Sequence, residues 1–174
     1  MRILVTGGAG FIGSHLCEYH LKRGDKVYAV DNLTTGLQSN LDLLSNNKNF
    51  KYEIADILTW PQLYETVSWA DRIYHMAAVV GVLRVLENPL EVLSTNVLGS
   101  ERVLRAVEAS KRPISLLIAS SSEVYGARAT QPLKENDELV YKSATHSRWA
   151  YPISKLTTEA FWLAYATNTS RLGL

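Results

Sequence analysis

The stretch Thr6-Gly7-Gly8-Ala9-Gly10-Phe11-Ile12-Gly13 decides the fold. It follows Ile3-Leu4-Val5, a short apolar run that reads as a buried strand stopped by glycines. It opens a helix over residues 11–22, with Ile12, Leu16 and Tyr19 on one side and Gly24 just past the end. Gly7, Gly10 and Gly13 make a Gly-x-x-Gly-x-x-Gly pattern. In such a loop the first glycine permits the tight turn, the second lets a pyrophosphate approach the backbone, and the third lets helix and strand pack closely. The free N–H groups at the helix start, Phe11 and Ile12 among them, suit phosphate oxygens.

Glycine turns are common, so the motif needs its context. A second strand over residues 26–30 ends at Asp31, which lies 18 residues beyond Gly13, close to the expected spacing of about 20. A carboxylate there accepts hydrogen bonds from ribose hydroxyls and repels a 2′-phosphate, which favours NAD over NADP. Asn32 follows it and is placed in the same cofactor set. Three more strands read over residues 50–55, 72–75 and 114–119, the last the most apolar. Helices read over residues 62–69, 90–110 and 151–166; the middle one carries Leu93, Val97, Leu104 and Val107 at helical spacing after Pro89. This alternation predicts an α/β fold, a doubly wound parallel sheet of Rossmann type. Residues 1–174 read as one domain, with a polar surface loop over residues 131–147.

Composition excludes several alternatives. A hydrophobic fraction of 47% and a charged fraction of 20% are those of an ordinary globular chain. A net charge of +1, with both signs mixed along the chain, gives no reason to expect nucleic acid or an anionic membrane as partner. Met1-Arg2-Ile3-Leu4-Val5 is too short for a signal-peptide core, and no run approaches the ~20 apolar residues of a bilayer span. The one cysteine, Cys17, excludes an internal disulfide and suits a reducing cytoplasm. The four histidines have no metal-ligand spacing with it, so no metal is expected. His15, His20 and His75 read as packing, capping or surface residues.

The chemistry-bearing residues come in two groups. Ser120-Ser121-Ser122-Glu123 follows the fifth strand, at the end of the sheet where such folds bind ligands. Tyr151 and Lys155 stand at i and i+4, on one face of the last helix. A tyrosine loses its proton near pH 10, and a nearby ammonium favours the phenolate. Asp56-Ile57 ends the third strand, where a carboxylate meets an adenine amino group or merely starts a turn.

Taken together, Gly7-x-x-Gly10-x-x-Gly13, Asp31, Asp56-Ile57, His75-Met76-Ala77-Ala78, Asn96, Ser121 and Tyr151-x-x-x-Lys155 resemble, in order, the extended short-chain dehydrogenase/reductases. The resemblance implies an enzyme that oxidises C4 of a nucleotide sugar with NAD, a UDP-sugar first and a dTDP-sugar second. It implies that Ser121 holds the sugar 4-hydroxyl, that Tyr151 removes its proton, and that Lys155 binds the nicotinamide ribose and lowers the tyrosine pKa. Ala77 and Ala78 line the cofactor cleft, with Asn96 beside it, and a homodimer pairs through the helices that begin at Leu90 and Tyr151. Glu123, with Arg148-Trp149-x-Tyr151, looks most like uronate decarboxylases and related 4-epimerases; the 4,6-dehydratases have an aspartate where Ser122 stands. Arg148 either meets a substrate carboxylate or is a solvated loop residue.

Members of that family run to roughly twice this length by resemblance. The chain is therefore expected to stop after about five strands, at Thr169-Ser170-Arg171-Leu172-Gly173-Leu174, without the C-terminal substrate domain. The alternative to an enzyme is a non-catalytic NAD-binding module, and the chain alone is expected to bind NAD weakly, to self-associate and not to turn over UDP-sugars.

Overall fold

A computed structural model describes residues 1–127, 131–143 and 145–168. The strands are β1 (Arg2–Thr6), β2 (Lys26–Asp31), β3 (Phe50–Ile54), β4 (Arg72–His75) and β5 (Ser115–Ile118). The helices are α1 (Phe11–Lys22), α2 (Gln38–Asp42), α3 (Leu63–Trp69), α4 (Val82–Glu87), α5 (Pro89–Ser110) and α6 (Ala150–Asn168). The sheet order is β3-β2-β1-β4-β5 and every pairing is parallel, so the expected doubly wound sheet is present. The hexapeptide from Thr169 lies outside the described residues.

Side chains alternate across the central strand, and this divides the core. Leu4 packs on one face with Ile57, Trp60, Leu63, Val67, Ile73 and Val103, beneath α3 and α5. Ile3 and Val5 pack on the other with Cys17, Leu21, Val27 and Phe50, beneath α1 and α2. Fully burying such a side chain contributes about 1.5–3 kcal/mol. The opposite end of the sheet is pinned by charge: Asp71, just before β4, accepts hydrogen bonds from Arg2 at the start of β1 and from Arg112 just before β5. Those cations hold its carboxyl well below the usual range.

The phase of α1 differs from the sequence expectation. Ile12 and Tyr19 are exposed, while Gly13, Cys17, His20 and Leu21 face inward. The cause is Gly13. A Cβ there would lie 2.1 Å from the Gly7 carbonyl oxygen, so this position must face the turn. That close approach sets the rotation of the helix, and Cys17 and Leu21 follow one and two turns later.

Two helices were not expected from the sequence. In α2 only Leu41 is buried, and in α4 only Val85, so neither has a periodic apolar face to read. The last strand is an edge of this sheet: Leu117 is exposed, and Ile114, read as part of the strand, packs in the core just before it. The loop after residue 131 is tied to the turn over Ser122–Tyr125: the Val140 amide donates to the Tyr125 carbonyl, the Ala127 amide donates to the Val140 carbonyl, and the Tyr141 hydroxyl donates to the Val124 carbonyl.

Candidate active site

A cleft of about 460 Å³ opens across the carboxyl ends of the strands. Gly7, Gly10, Phe11, Ile12 and Gly13 line it from the glycine loop, and Asp31, Asn32, Ile57, Ala77, Ala78, Tyr151 and Lys155 line it from elsewhere. Twelve separately predicted site residues thus meet in one place. Gly7 has φ +73°, and a Cβ on it would lie 2.6 Å from the Ala77 amide, so the turn demands glycine twice over. Gly10 is the N-cap of α1 and brings no side-chain cap to the first-turn amides. Those amides have no intrahelical acceptor and face the cleft.

Asp31 does more than end β2. Its Oδ2 accepts the Ala9 amide at 3.0 Å and its Oδ1 accepts the Leu33 amide at 2.8 Å. Leu33 is left-handed, with φ 58°. Gly36 closes over this corner, since a Cβ there would lie 2.7 Å from the Ala9 side chain and 3.0 Å from Asp31 Oδ1. Thr34 and Thr35 line the same end of the cleft. Sequence reading passed over Thr34-Thr35-Gly36; the available signal was a glycine within a few residues of the strand-end acid.

Of two further residues placed with the cofactor, Asn96 stands behind the cleft wall, and Asp56 is half-buried beside the cleft-lining Asn32. Asn96 is buried; its Oδ1 accepts the Val79 amide at 2.7 Å, and its Nδ2 donates to the Val79 carbonyl at 3.2 Å and to Ser154 Oγ at 3.0 Å. Its amide is thereby spent on bracing the cleft wall against α6. Asp56 accepts the Leu58 amide at 2.8 Å, a turn-starting bond, and the Asn32 side chain at 3.1 Å. Ile57 lines the cleft, and Asp56 holds the turn that presents it.

At the other end, Ser121 caps the short turn after β5, its Oγ accepting the Glu123 amide at 3.2 Å. Ser121 hydrogen bonds toward the Tyr151 phenol, and the Glu123 carboxylate is near enough to act on the same group. Lys155 is almost wholly buried, and its Nζ donates to the Ala119 carbonyl at 2.8 Å. Burial pushes this ammonium down to about 8. The amine lies 5.9 Å from the centre of the Tyr151 ring.

One expectation is corrected here. Lys155 was expected to lower the tyrosine pKa. Instead burial holds Tyr151 above its ordinary value, with Glu123 adding to the rise and only the Ser121 hydroxyl opposing it. The lysine is turned to a backbone carbonyl rather than to the phenol. Further along α6, Glu159 accepts a hydrogen bond from Ser120, so Tyr151, Lys155 and Glu159 form one stripe facing the end of β5. Arg148 is exposed, its guanidinium 5.9 Å over the Trp149 ring, and Trp149 packs edge-on against Tyr141.

Residues 4–171 match the family model described as GDP-mannose 4,6 dehydratase. The chain belongs to this family, among the extended short-chain dehydrogenase/reductases. A UDP-N-acetyl-alpha-D-glucosaminuronate decarboxylase from Bacillus cytotoxicus is 38% identical over 165 residues, which are 95% of this chain and 50% of that protein. The structure of a dTDP-glucose 4,6-dehydratase from Streptomyces venezuelae, solved with NAD bound, superposes with a TM-score of 0.85 at 30% identity, covering 99% of this chain and 53% of that one. A UDP-glucuronic acid 4-epimerase from Bacillus cereus, in complex with UDP-glucuronic acid and NAD, gives 0.84 at 29% identity, over 97% and 53%. This family member therefore spans about half the length of the curated relative and solved structures it matches.

Proposed function

We propose that this chain is the cofactor-binding and catalytic half of an NAD-dependent enzyme that oxidises C4 of a UDP-uronate and then decarboxylates it. The observation that carries the reading is the presence of Tyr151 and Lys155 at one end of a cleft whose other end is built by the glycine loop and Asp31, with Ser121 hydrogen bonded toward the Tyr151 phenol. Likeness to a uronate decarboxylase supports the choice of substrate.

The residues present fit the cofactor. The glycine cradle leaves backbone amides for phosphate, and Asp31, after accepting Ala9 and Leu33, keeps lone pairs for ribose hydroxyls. Ala77 and Ala78 leave width for a flat ring. Bound NAD supplies the hydride acceptor. Ser121 Oγ holds the 4-hydroxyl, Tyr151 Oη takes its proton, and Lys155 holds the nicotinamide ribose. Because burial and Glu123 keep the phenol proton tightly held, positive charge brought in with the cofactor has to offset them. Once C4 is a ketone, a C5 carboxylate is a β-keto acid. The C5–C6 bond breaks, CO₂ departs, and the electron pair passes to the C4 oxygen, where Tyr151 and Ser121 donate hydrogen bonds. Glu123 is the nearby group able to return a proton to C5, and hydride return to C4 then gives a UDP-pentose.

Two other readings separate by product. A 4-epimerase, favoured by the likeness to the Bacillus cereus structure, returns hydride to the opposite face and keeps the carboxylate. A non-catalytic NAD-binding module forms no new sugar. The test is product analysis by NMR after incubating NAD and UDP-glucuronate with this chain grafted in place of the matching half of the Bacillus cytotoxicus relative. UDP-pentose with CO₂ supports decarboxylation; UDP-galacturonate supports the epimerase; neither, with NAD still bound, leaves the binding module.

The same reading places the protein in the cytoplasm, with Cys17 buried and its thiol pushed up to about 12. It also makes it a homodimer through α5 and α6, supported by exposed Leu90, Leu98 and Ile153 on those helices. Light scattering at micromolar concentration that gave only monomer would count against the dimer. Among the described residues no helix is long and apolar enough to cross a membrane.

A further inference from the structure

His75 is buried and takes no part in the chemistry above, yet both of its ring nitrogens are engaged. Nδ1 lies 2.7 Å from Thr6 Oγ1 and Nε2 lies 3.1 Å from Ser100 Oγ. Beyond these, the Ala77 amide donates to Thr6 Oγ1 at 3.3 Å, Ser100 Oγ lies 3.4 Å from Thr158 Oγ1, and Thr158 Oγ1 donates to the Ser154 carbonyl at 2.8 Å. Thr6, His75, Ser100, Ser154 and Thr158 are all buried. We propose that His75 is a positioning residue: it is the centre of a buried hydrogen-bond chain that locks α6, and with it Tyr151 and Lys155, to the cofactor end of the sheet.

Thr158 Oγ1 donates to the Ser154 carbonyl at 2.8 Å, the usual back-bond of a helical threonine, and points the same proton toward Ser100 Oγ at 3.4 Å. A neutral imidazole has one N–H and one acceptor nitrogen. His75 therefore donates to one of the Thr6 and Ser100 hydroxyls and accepts from the other, and Thr6 Oγ1 also accepts the Ala77 amide.

The two ends of the chain give it its purpose. Ala77 is a wall of the cleft. Ser154 sits between Tyr151 and Lys155, donates to the Tyr151 carbonyl at 2.7 Å and accepts from Asn96 at 3.0 Å. Helix α6 otherwise reaches the sheet through the end of β5, by Lys155 on Ala119 and Glu159 on Ser120. The chain through His75 adds a second anchor, from β1 and β4. Burial, with the charge of Lys155, pushes the imidazole down to about 3, which keeps it neutral and the chain intact.

The chain itself is independent of the proposed reaction, although its value for Tyr151 and Lys155 rests on that reading. The test is therefore NMR of the 174-residue protein labelled with ¹⁵N-histidine, with His75 assigned through His75→Gln. The expected spectrum shows His75 as a neutral imidazole with no titration between pH 5 and 8. Titration near the ordinary histidine value of about 6.5 overturns the proposal. The positioning role is read at Lys155 from its own ε-carbon titration. Thr158→Val should shift the Lys155 midpoint upward, toward that of a solvated lysine, and Thr158→Ser, which keeps the hydroxyl, should restore it. An unchanged Lys155 midpoint in Thr158→Val overturns the positioning role even where His75 stays neutral. Neither readout needs turnover, so failure here is distinct from failure of the decarboxylase reading.

Discussion

The Asp31 carboxylate accepts the Ala9 amide at 3.0 Å, which ties the acid that ends β2 to the glycine loop that follows β1. One side chain thus shapes the phosphate cradle and faces the ribose. Asp31→Ala should weaken NAD binding by roughly 10–100-fold, because a hydrogen bond to a charged group contributes about 1.5–3 kcal/mol. It should also narrow the gap between NAD and NADP. Calorimetric titration of both cofactors checks this, and equal affinities in the unaltered chain would remove Asp31 as the discriminator.

Glycines in this chain should differ sharply in their tolerance of a methyl group. Gly13→Ala would put a Cβ 2.1 Å from a backbone oxygen of the turn. Overpacking of that kind costs about 3 kcal/mol. Gly24 has φ +81°, but a methyl group there would meet nothing within 4 Å, so Gly24→Ala should cost only the left-handed backbone penalty of about 1 kcal/mol. Urea midpoints of the two variants give the comparison; equal losses would mean that close packing does not set the phase of α1.

Lys155 should be a functional residue that lowers stability. Its ammonium titrates near 8 in the folded chain and near 10.4 when solvated. Below pH 8 both states are charged, and the folded state bears the desolvation cost. Between those values the unfolded chain binds more protons, so stability rises with pH, and above them the cost is gone. Lys155→Met should therefore raise stability at pH 7 by on the order of 1–3 kcal/mol, with the gain shrinking as pH approaches 10.5, while abolishing turnover. Melting curves at pH 7 and 9.5 would show it. A variant less stable than the parent at pH 7 would mean that the Ala119 bond outweighs desolvation.

The legible parts of this protein were those in which one local pattern makes one local demand. Gly7, Gly10 and Gly13 with Asp31 announced the cradle, and Tyr151 with Lys155 announced a shared helix face; the structure lines the cleft with all six. What sequence hid was direction and partnership. The apolar size of Ile12 and Tyr19 suggested the inner face of α1, but the contact of Gly13 with Gly7 overrode it. Spacing put Lys155 beside Tyr151, but could not show that its amine would go to the Ala119 carbonyl, which β5 brings there from 36 residues away. Asn96 and His75 were invisible as braces because every partner outside their own helix or strand comes from a distant segment.

The claim on which the rest depends is that Tyr151 drives oxidation at C4. It is tested most directly in a single turnover: mix UDP-glucuronate with the NAD-loaded graft of this chain onto the Bacillus cytotoxicus half, and follow the near-ultraviolet absorbance of reduced nicotinamide. The expected result is an absorbance rise on mixing, followed by UDP-pentose, with both lost in Tyr151→Phe while NAD stays bound. Product formed by Tyr151→Phe at a rate close to that of the parent would contradict it.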